Sequence, residues 1–111
     1  MSHTIFKYPF PIADNFGKVL PVNSRILKVE CQRNIPIMWV LHTTNTKIVE
    51  PRLFRIYGTG AEIKDLENLI YIGTFQMHNG DMVWHVFEEI EDSSLFIEDV
   101  LKQSVKQPTE Q

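Results

Sequence analysis

The chain has 111 residues, of which 43% are hydrophobic and 23% are charged, and its formal net charge is -3. This length and composition fit one compact domain with a single core and exclude a chain of two domains. The weak negative charge excludes strong electrostatic binding to long duplex nucleic acid, while a few local arginines can still hold a small anion.

The cysteine count and the N-terminal segment bear on the cellular compartment. Cys31 is the single cysteine, so no intrachain disulfide forms and a reducing cytosol is expected. The segment "MSHTIFKYPF" lacks the apolar stretch of a secretion signal, and no window approaches the ~18 to 20 apolar residues of a membrane span. We therefore predict a cytosolic protein that does not insert into a membrane.

The first 43 residues predict strands and one tight hairpin. "TIFKYPF" alternates with a period of two, and Pro9 lacks an N–H, which places this strand at a sheet edge or ends it there. "ADNFG" is predicted to be a turn and "KVLPV" a short extended piece. "SRILKVECQ" predicts a half-buried strand with Ile26, Lys28 and Glu30 on one side and Leu27, Val29 and Cys31 on the other. Arg33-Asn34 closes a hairpin with "IPIMWVLHTT".

The second half contains the strongest hairpin signal. "NTKIVEP" is predicted to be a loop, "RLFRIYG" a strand, and "AEIKDLENL" a connection with at most one turn of helix. Asn79-Gly80 lies between "YIGTFQMH" and "DMVWHVFEE", and a type I′ turn needs positive φ at both of these positions. The resulting register pairs His78 with Asp81, Met77 with Met82, Phe75 with Trp84 and Thr74 with His85. One face then carries Gly73, Phe75, Met77, Met82, Trp84 and Val86, and the other carries Ile72, Thr74, Gln76, Val83, His85 and Phe87.

The last segment, "DSSLFIEDVLKQSVK", has a helical pattern over residues 92–106, with Asp92 or Ser93 as its N-cap. Its apolar stripe would pack on the sheet or on a second copy of the chain, and residues 107–111 are predicted to be disordered. The sequence thus predicts a single domain over residues 1–111 of the mainly β (α+β) class. An antiparallel sheet or sandwich of six or seven strands occupies residues 4–89, and a C-terminal helix follows it.

No arrangement of residues predicts catalysis or a metal site. The acidic cluster Glu88, Glu89, Glu91 and Asp92 is interpreted as solvated carboxylates at a strand end and a helix start. The histidines His42, His78 and His85 lack the close spacing of metal-binding motifs. We therefore expect a protein that is not an enzyme and uses no cofactor.

The stretch "RIYGTG" is the best candidate for a binding site. Arg55 and Tyr57 leave the same side of a strand, and Gly58, Thr59 and Gly60 follow in a turn whose amides can bind an anion. An arginine beside such a turn can donate two hydrogen bonds to phosphate oxygens. The alternative is a strand that simply ends in a glycine turn, because G-x-G alone is a weak signal.

Aromatic residues are more numerous than one small core readily buries, since each buries ~150 to 250 Å². They include Phe6, Tyr8, Trp39, Tyr57, Tyr71, Trp84 and Phe87. Some of them are expected against a planar ligand, where a stacked base gains ~1 to 3 kcal/mol. An aromatic-rich core together with a dimer contact is the alternative.

Five stretches between Thr4 and Glu89 together resemble a known family: "TIFKYPFPI", "MWVL", "RLFRIYGTGAEI", "YIGTFQ" and "VWHVFEE". The most specific of them are "FRIYGTG" and "WHVFEE". They resemble the signature of a small phage-encoded family of unknown function, which is similar to the anti-CBASS sponge proteins that sequester host cyclic-oligonucleotide signals. The resemblance implies a homo-oligomer, expected to be a tetramer, that binds a cyclic dinucleotide in the host cytoplasm without cleaving it.

The resemblance also suggests a role for each motif position. Arg55 would bind phosphate, and the amides of Gly58, Thr59 and Gly60 or the threonine hydroxyl would assist it. The rings of Tyr57, Tyr8 or Trp84 would stack on a base, and His85 would hydrogen-bond a base or ribose. The alternative hypothesis is a phage-encoded protein-interaction or virion-associated module that docks a host or phage protein.

Overall fold

The computed structural model of the protein describes residues 2–90, and over this range the chain forms seven strands in two antiparallel sheets. The strands are β1 His3–Pro9, β2 Asn15–Pro21, β3 Arg25–Gln32, β4 Ile35–Thr43, β5 Val49–Gly58, β6 Leu69–Met77 and β7 Met82–Glu89. Short 3₁₀ turns span Leu66–Asn68 and His78–Gly80. The prediction of a mainly β fold is confirmed, while the helix and tail predicted for residues 92–111 lie outside the described residues.

The two sheets have different sizes and strand orders. Sheet A contains three strands in the order β1-β4-β3, and sheet B contains four in the order β2-β5-β7-β6. Strand β1 pairs with β4 on one side only, so the prediction that Pro9 lies on an edge strand is confirmed. The 3₁₀ turn at Leu66–Asn68 is the single helical turn expected between β5 and β6.

One apolar core lies between the sheets. The largest fully buried side chains come from both sheets: Leu20, Met38, Val40, Phe54 and Val86. Phe10, which follows β1, stacks on Phe16 at 5.2 Å between ring centroids and meets Phe75 edge-on at 5.7 Å. Burial of a side chain of this size contributes about 1.5 to 3 kcal/mol, so these contacts hold sheet A against sheet B.

Both predicted tight hairpins are confirmed, because the backbone adopts the left-handed conformation at the predicted positions. Arg33 and Asn34 have φ angles of 53° and 64°, and Asn79 and Gly80 have 58° and 92°. The Asp81 N–H donates to the His78 carbonyl at 3.1 Å and closes the second turn. The predicted pairs Met77–Met82, Phe75–Trp84 and Thr74–His85 are present. The predicted pair His78–Asp81 is absent from the ladder, because His78 has a φ of 54° and belongs to the turn.

Two strands begin earlier than predicted. β2 starts at Asn15, inside the predicted turn, and β5 starts at Val49, inside the predicted loop. The two strands pair antiparallel over all seven residues of β2, from Asn15 opposite Arg55 to Pro21 opposite Val49. Pro51 is accommodated in β5 because pairing with β7 starts only at Phe54, so the missing N–H interrupts no bond on that side.

Two bulges reverse predicted side-chain directions. The register shifts at Leu27 in β3 and at Ile72 in β6, where one residue is left without a partner. The prediction that Leu27 shares a side with Val29 and Cys31 is therefore wrong: Leu27 is 44% exposed, while Ile26 packs against the core beside Val29 and Cys31. Ile72 likewise packs against the core, which places Tyr71 on the outer face of sheet B opposite Phe87.

Candidate functional site

The outer face of sheet B brings together polar and aromatic side chains from three neighbouring strands. Phe54, Ile56 and Val86 point into the core, so the residues that alternate with them point outward. We call this surface the aromatic face and define it by Arg55 and Tyr57 of β5, Tyr71 and Thr74 of β6, and His85, Phe87 and Glu89 of β7. Its residues are adjacent in the ladder, with Arg55 opposite Phe87, Tyr57 opposite His85, and Thr74 opposite His85.

Three rings form the centre of the aromatic face. Tyr57 contacts Phe87 with 5.7 Å between ring centroids and an interplanar angle of 79°, and Tyr71 contacts Phe87 at 5.5 Å and 65°. Both arrangements are edge-to-face contacts, which are favourable for aromatic pairs. Phe87 is 8% exposed and Tyr71 is 56% exposed. Phe87 therefore forms the floor of the surface, and Tyr71 presents its ring to solvent.

His85 is held through both ring nitrogens. Nε2 lies 2.8 Å from Thr59 Oγ1, and Nδ1 lies 2.9 Å from Thr74 Oγ1. The Tyr71 hydroxyl hydrogen-bonds Thr74 in turn, which extends the chain of polar groups along β6. A hydroxyl either donates or accepts, so the two threonines suit either tautomer of the imidazole. The ring is thus fixed in position at an exposed surface.

Arg55 borders the same surface but already has an anionic partner. Its Nε donates to Glu89 Oε2 at 2.8 Å, its Nη1 donates to the Tyr57 hydroxyl at 3.4 Å, and Asp65 lies 3.8 Å from Nη1. The hydrogen bond to Glu89 raises the pKa of Arg55 above its usual range. The Arg55 side chain is 26% exposed. A phosphate bound here would therefore share the guanidinium with Glu89.

The acidic pair at the end of β7 is not solvated, so that interpretation is wrong for Glu88 and Glu89. Their side chains are 14% and 11% exposed, and each pairs with an arginine of β5. The Glu88 carboxylate accepts hydrogen bonds from both Nε and Nη2 of Arg52. Nη1 of Arg52 donates a third hydrogen bond to the Ser24 carbonyl at 2.8 Å. This hydrogen bond to Glu88 raises the pKa of Arg52. Glu88 lies on the side of β7 that faces sheet A, so this pair joins β5, β7 and the turn before β3.

Three of the predicted site residues lie away from the aromatic face. Gly58 faces Trp84, since a Cβ atom at Gly58 would lie 3.4 Å from Trp84 Cζ3. Trp84 packs against the core, and its buried Nε1 has no hydrogen-bond partner among the described residues. Tyr8 lies in the core on β1 with 6% exposure, and burial raises the pKa of its phenol.

The other predicted residues are brought together. Arg55, Tyr57 and His85 share the aromatic face, and Thr59 joins them through its bond to His85. The Ala61 N–H donates to the Gly58 carbonyl at 3.1 Å, and Gly60 has a φ of +93°, as the third residue of a type II turn requires. The glycine turn therefore places the threonine hydroxyl over β7.

Tyr71, Thr74, Phe87 and Glu89 were not among the predicted ligand-binding residues, although Tyr71 and Phe87 were among the aromatic residues of which some were expected against a planar ligand. The pairing of Thr74 with His85 follows from the Asn79-Gly80 turn, so the sequence carried a signal for Thr74. The position of Tyr71 depends on the bulge at Ile72, and the position of Glu89 depends on a partner 34 residues earlier in the chain. Neither of these has a local sequence signal.

The side chains of the aromatic face are of the types that contact planar, polar or anionic groups. It offers the exposed ring of Tyr71, hydroxyls, an imidazole and part of a guanidinium, from adjacent strands and from the turn after β5. Within residues 2–90, no three His, Cys, Asp or Glu side chains lie together as metal ligands. The same part of the chain has no helix of the length and apolar character needed to span a membrane.

Comparison with known proteins gives a family without an assigned function. No curated protein and no solved structure matches the chain. The family model described as Domain of unknown function (DUF7352) matches residues 1–95. This match covers most of the 111 residues, and the chain therefore belongs to that family.

Proposed function

We propose that this protein is a phage immune-evasion protein that binds a cyclic oligonucleotide, such as a cyclic dinucleotide, on the aromatic face and sequesters it without cleaving it. The observation that carries the proposal is the convergence of Arg55, Tyr57, Thr59 and His85, drawn from β5, its turn and β7, beside the exposed ring of Tyr71. The motif resemblance to phage sponge proteins supports the choice of ligand class.

Each part of such a ligand meets a suitable group on this surface. The exposed Tyr71 ring offers a stacking platform, and stacking of a base on an aromatic ring contributes ~1 to 3 kcal/mol. The hydroxyls of Thr59 and Thr74, already aligned by His85, offer donors and acceptors to ribose. The exposed part of the Arg55 guanidinium offers N–H donors to a phosphate.

A homo-oligomer suits this ligand because a cyclic dinucleotide presents two bases and two phosphates around a pseudo-two-fold axis. Two copies of the aromatic face related by a two-fold axis would present each group twice. Sequestration below a signalling threshold requires low-nanomolar affinity, which corresponds to roughly -11 to -12 kcal/mol. It requires no chemical step.

The proposal is tested by identifying what the protein retains. The purified full-length chain is incubated with an equimolar mixture of cyclic di- and trinucleotides, washed, denatured, and its retained ligand is identified by mass spectrometry. We expect one or a few intact cyclic nucleotides to be released. Recovery of none, together with no heat in calorimetry against each member of the mixture, would contradict the proposal.

Matched variants locate the site. Arg55→Gln and Tyr71→Ala are expected to weaken retention at least tenfold. Arg25→Gln and Ile35→Ala are the controls, because both residues are exposed and lie on sheet A. Equal retention by all four variants would place any ligand elsewhere on the protein.

A second candidate function is a module that docks a host or phage protein. Exposed apolar side chains flank the place where the Ile90 N–H bonds the Asn68 carbonyl: Leu66, Ile70 and Ile90 are 57%, 49% and 52% exposed. A pull-down from infected cells that recovers a stoichiometric protein partner, with no nucleotide retained, would favour this function.

A further inference from the structure

The free edge of β1 is distinct from the other sheet edges of the molecule. Among the described residues, β1, β3, β2 and β6 are the edge strands. β3 and β6 each contain a bulge, and they approach each other closely enough that a Cβ atom at Gly73 would lie 2.8 Å from Val29 Cγ2. Bulges and a covered position are two ways in which proteins protect a sheet edge.

The two remaining edges differ in their side chains. Both β1 and β2 pair in a regular register over seven residues. In β2 no large hydrophobic side chain is exposed, and Gly17 lies near the middle of the strand. Within β1, Ile5 and Phe6 are 52% and 55% exposed and lie on opposite faces of the strand. A regular edge flanked by exposed apolar side chains favours pairing with another strand, and Lys7, a charged residue of the kind that protects edges, lies back over the Trp39 ring of β4.

The hydrogen bonds on the inner side of β1 reveal which backbone groups face outward. The Thr44 N–H donates to the Ser2 carbonyl, and the Phe10 N–H donates to the Pro36 carbonyl. In an antiparallel ladder the bonded residues alternate, so the even-numbered residues of β1 bond β4. The N–H and C=O groups of His3, Ile5 and Lys7 therefore point to the free edge. Pro9 lies at an outward position too, which explains why its missing N–H leaves the β1–β4 ladder intact.

We propose that two copies of the chain pair antiparallel through β1, about a two-fold axis that passes through Phe6. This register places Ile5 opposite Lys7 of the second copy, and the outward N–H groups of His3, Ile5 and Lys7 in each copy all find carbonyl acceptors. Sheet A thereby becomes a continuous six-stranded sheet in the dimer. The proposal concerns sheet A alone and does not depend on ligand binding to sheet B.

Side chains favour this register over the neighbouring one. A two-fold axis through Ile5 uses the same three N–H groups but places each Phe6 opposite Thr4. The axis through Phe6 places the two Phe6 rings directly opposite each other, and aromatic cross-strand pairs are among the stabilising ones. Phe6 is already oriented, because its ring lies 5.1 Å from the His42 ring at an interplanar angle of 80°. The rest of its surface is open to a second copy.

The first experiment measures mass as a function of concentration. Size-exclusion chromatography with light scattering on the untagged, ligand-free chain should show a dimer or a multiple of it, dissociating on dilution. Phe6→Lys places two ammonium groups opposite each other and should shift the dimer–monomer equilibrium at least tenfold toward monomer. Ile35→Lys is the control, because Ile35 is 52% exposed, close to the 55% of Phe6, but lies on β4. Circular dichroism checks that both variants remain folded.

The second experiment fixes the register by disulfide cross-linking in a Cys31→Ala background. The axis through Phe6 brings the two Phe6 Cα atoms to about 4.5 Å, within disulfide range, so Phe6→Cys should cross-link on mild oxidation. The two Ile5 residues would then lie on a diagonal about 7 to 8 Å apart, so Ile5→Cys should remain monomeric on a denaturing gel.

Three outcomes would overturn the proposal. They are a monomer at all accessible concentrations, an oligomer that Phe6→Lys leaves unchanged, and cross-linking by Ile5→Cys instead of Phe6→Cys. A monomer whose β1 edge amides are protected from hydrogen exchange would assign the edge to another segment of the same chain.

Discussion

Gly73 of β6 and Val29 of β3 are in close contact between the two sheets, and this contact yields a sharp prediction for stability. A Cβ atom at Gly73 would lie 2.8 Å from Val29 Cγ2 and 3.9 Å from the Val29 backbone nitrogen. Favourable carbon–carbon contacts lie at about 3.5 to 4.0 Å, so one group must move by roughly 0.7 to 1.2 Å. Val29 is 3% exposed and β-branched, so its side chain has little freedom to rotate away.

We therefore expect Gly73→Ala to lower the free energy of unfolding by about 1 to 3 kcal/mol, as overpacking does in other cores. In a domain of this size, 2 kcal/mol lowers the Tm by roughly 8 °C. Urea titration followed by tryptophan fluorescence measures this change as a lower midpoint at an unchanged slope.

The double variant Gly73→Ala/Val29→Ala separates this steric effect from a general effect of alanine in a strand. Removal of the clashing methyl should make the double variant more stable than the sum of the single variants predicts, by about 0.5 to 3 kcal/mol. Gly60→Ala is a control without a clash, since nothing lies within 4 Å of its Cβ position, although its φ of +93° adds local strain. If the changes in the free energy of unfolding of the two single variants simply add up in the double variant, the steric clash between Gly73→Ala and Val29 is refuted.

Three further predictions concern charged and titratable groups. Arg52→Met leaves the Glu88 carboxylate, whose side chain is 14% exposed, without its partner and should cost about 2 to 4 kcal/mol, whereas Arg52→Met/Glu88→Leu should recover most of it in urea titrations. Burial raises the pKa of Tyr8 above its usual 10.0, so the unfolded chain ionises first and stability falls as pH rises past this value. Tyr8→Phe should show a smaller loss between pH 9 and pH 11, and an identical pH profile would contradict this. Glu89→Gln removes the charge that competes for Arg55, so calorimetry should show roughly 3- to 10-fold tighter binding of a retained cyclic nucleotide, and weaker binding would exclude a phosphate at Arg55.

The aromatic face and the β1 edge belong to different sheets, so the two proposals make separable demands on the molecule. Substitutions at Tyr71 or Arg55 should change ligand retention without changing the oligomeric state of the ligand-free chain. Phe6→Lys should change the oligomeric state, and any effect on retention would then show that the ligand needs two copies. This comparison tests directly whether dimer formation and ligand binding are coupled.

The candidate site shows where sequence reasoning reaches its limit. Alternation along β5 correctly placed Arg55 and Tyr57 on one side, because side-chain direction in a regular strand depends on position alone. Tyr8 and Trp84 were expected to stack on a ligand, whereas Tyr8 lies in the core and Trp84 packs against it. Their location depends on which sheet covers which face, and that is decided by contacts between distant segments.

The sequence by itself determined the local geometry of this protein. The turns at Arg33-Asn34 and Asn79-Gly80, the alternation of the strands and the register of the last hairpin all follow from the backbone preferences of neighbouring residues. Only the tertiary structure decided the division into two sheets, the bulges at Leu27 and Ile72, and the pairing of Glu88 and Glu89 with arginines 36 and 34 residues away. Turn conformations are set by the φ and ψ angles of a few residues. Bulges and buried ion pairs instead form where the packing of the whole sandwich makes them the lowest-energy arrangement.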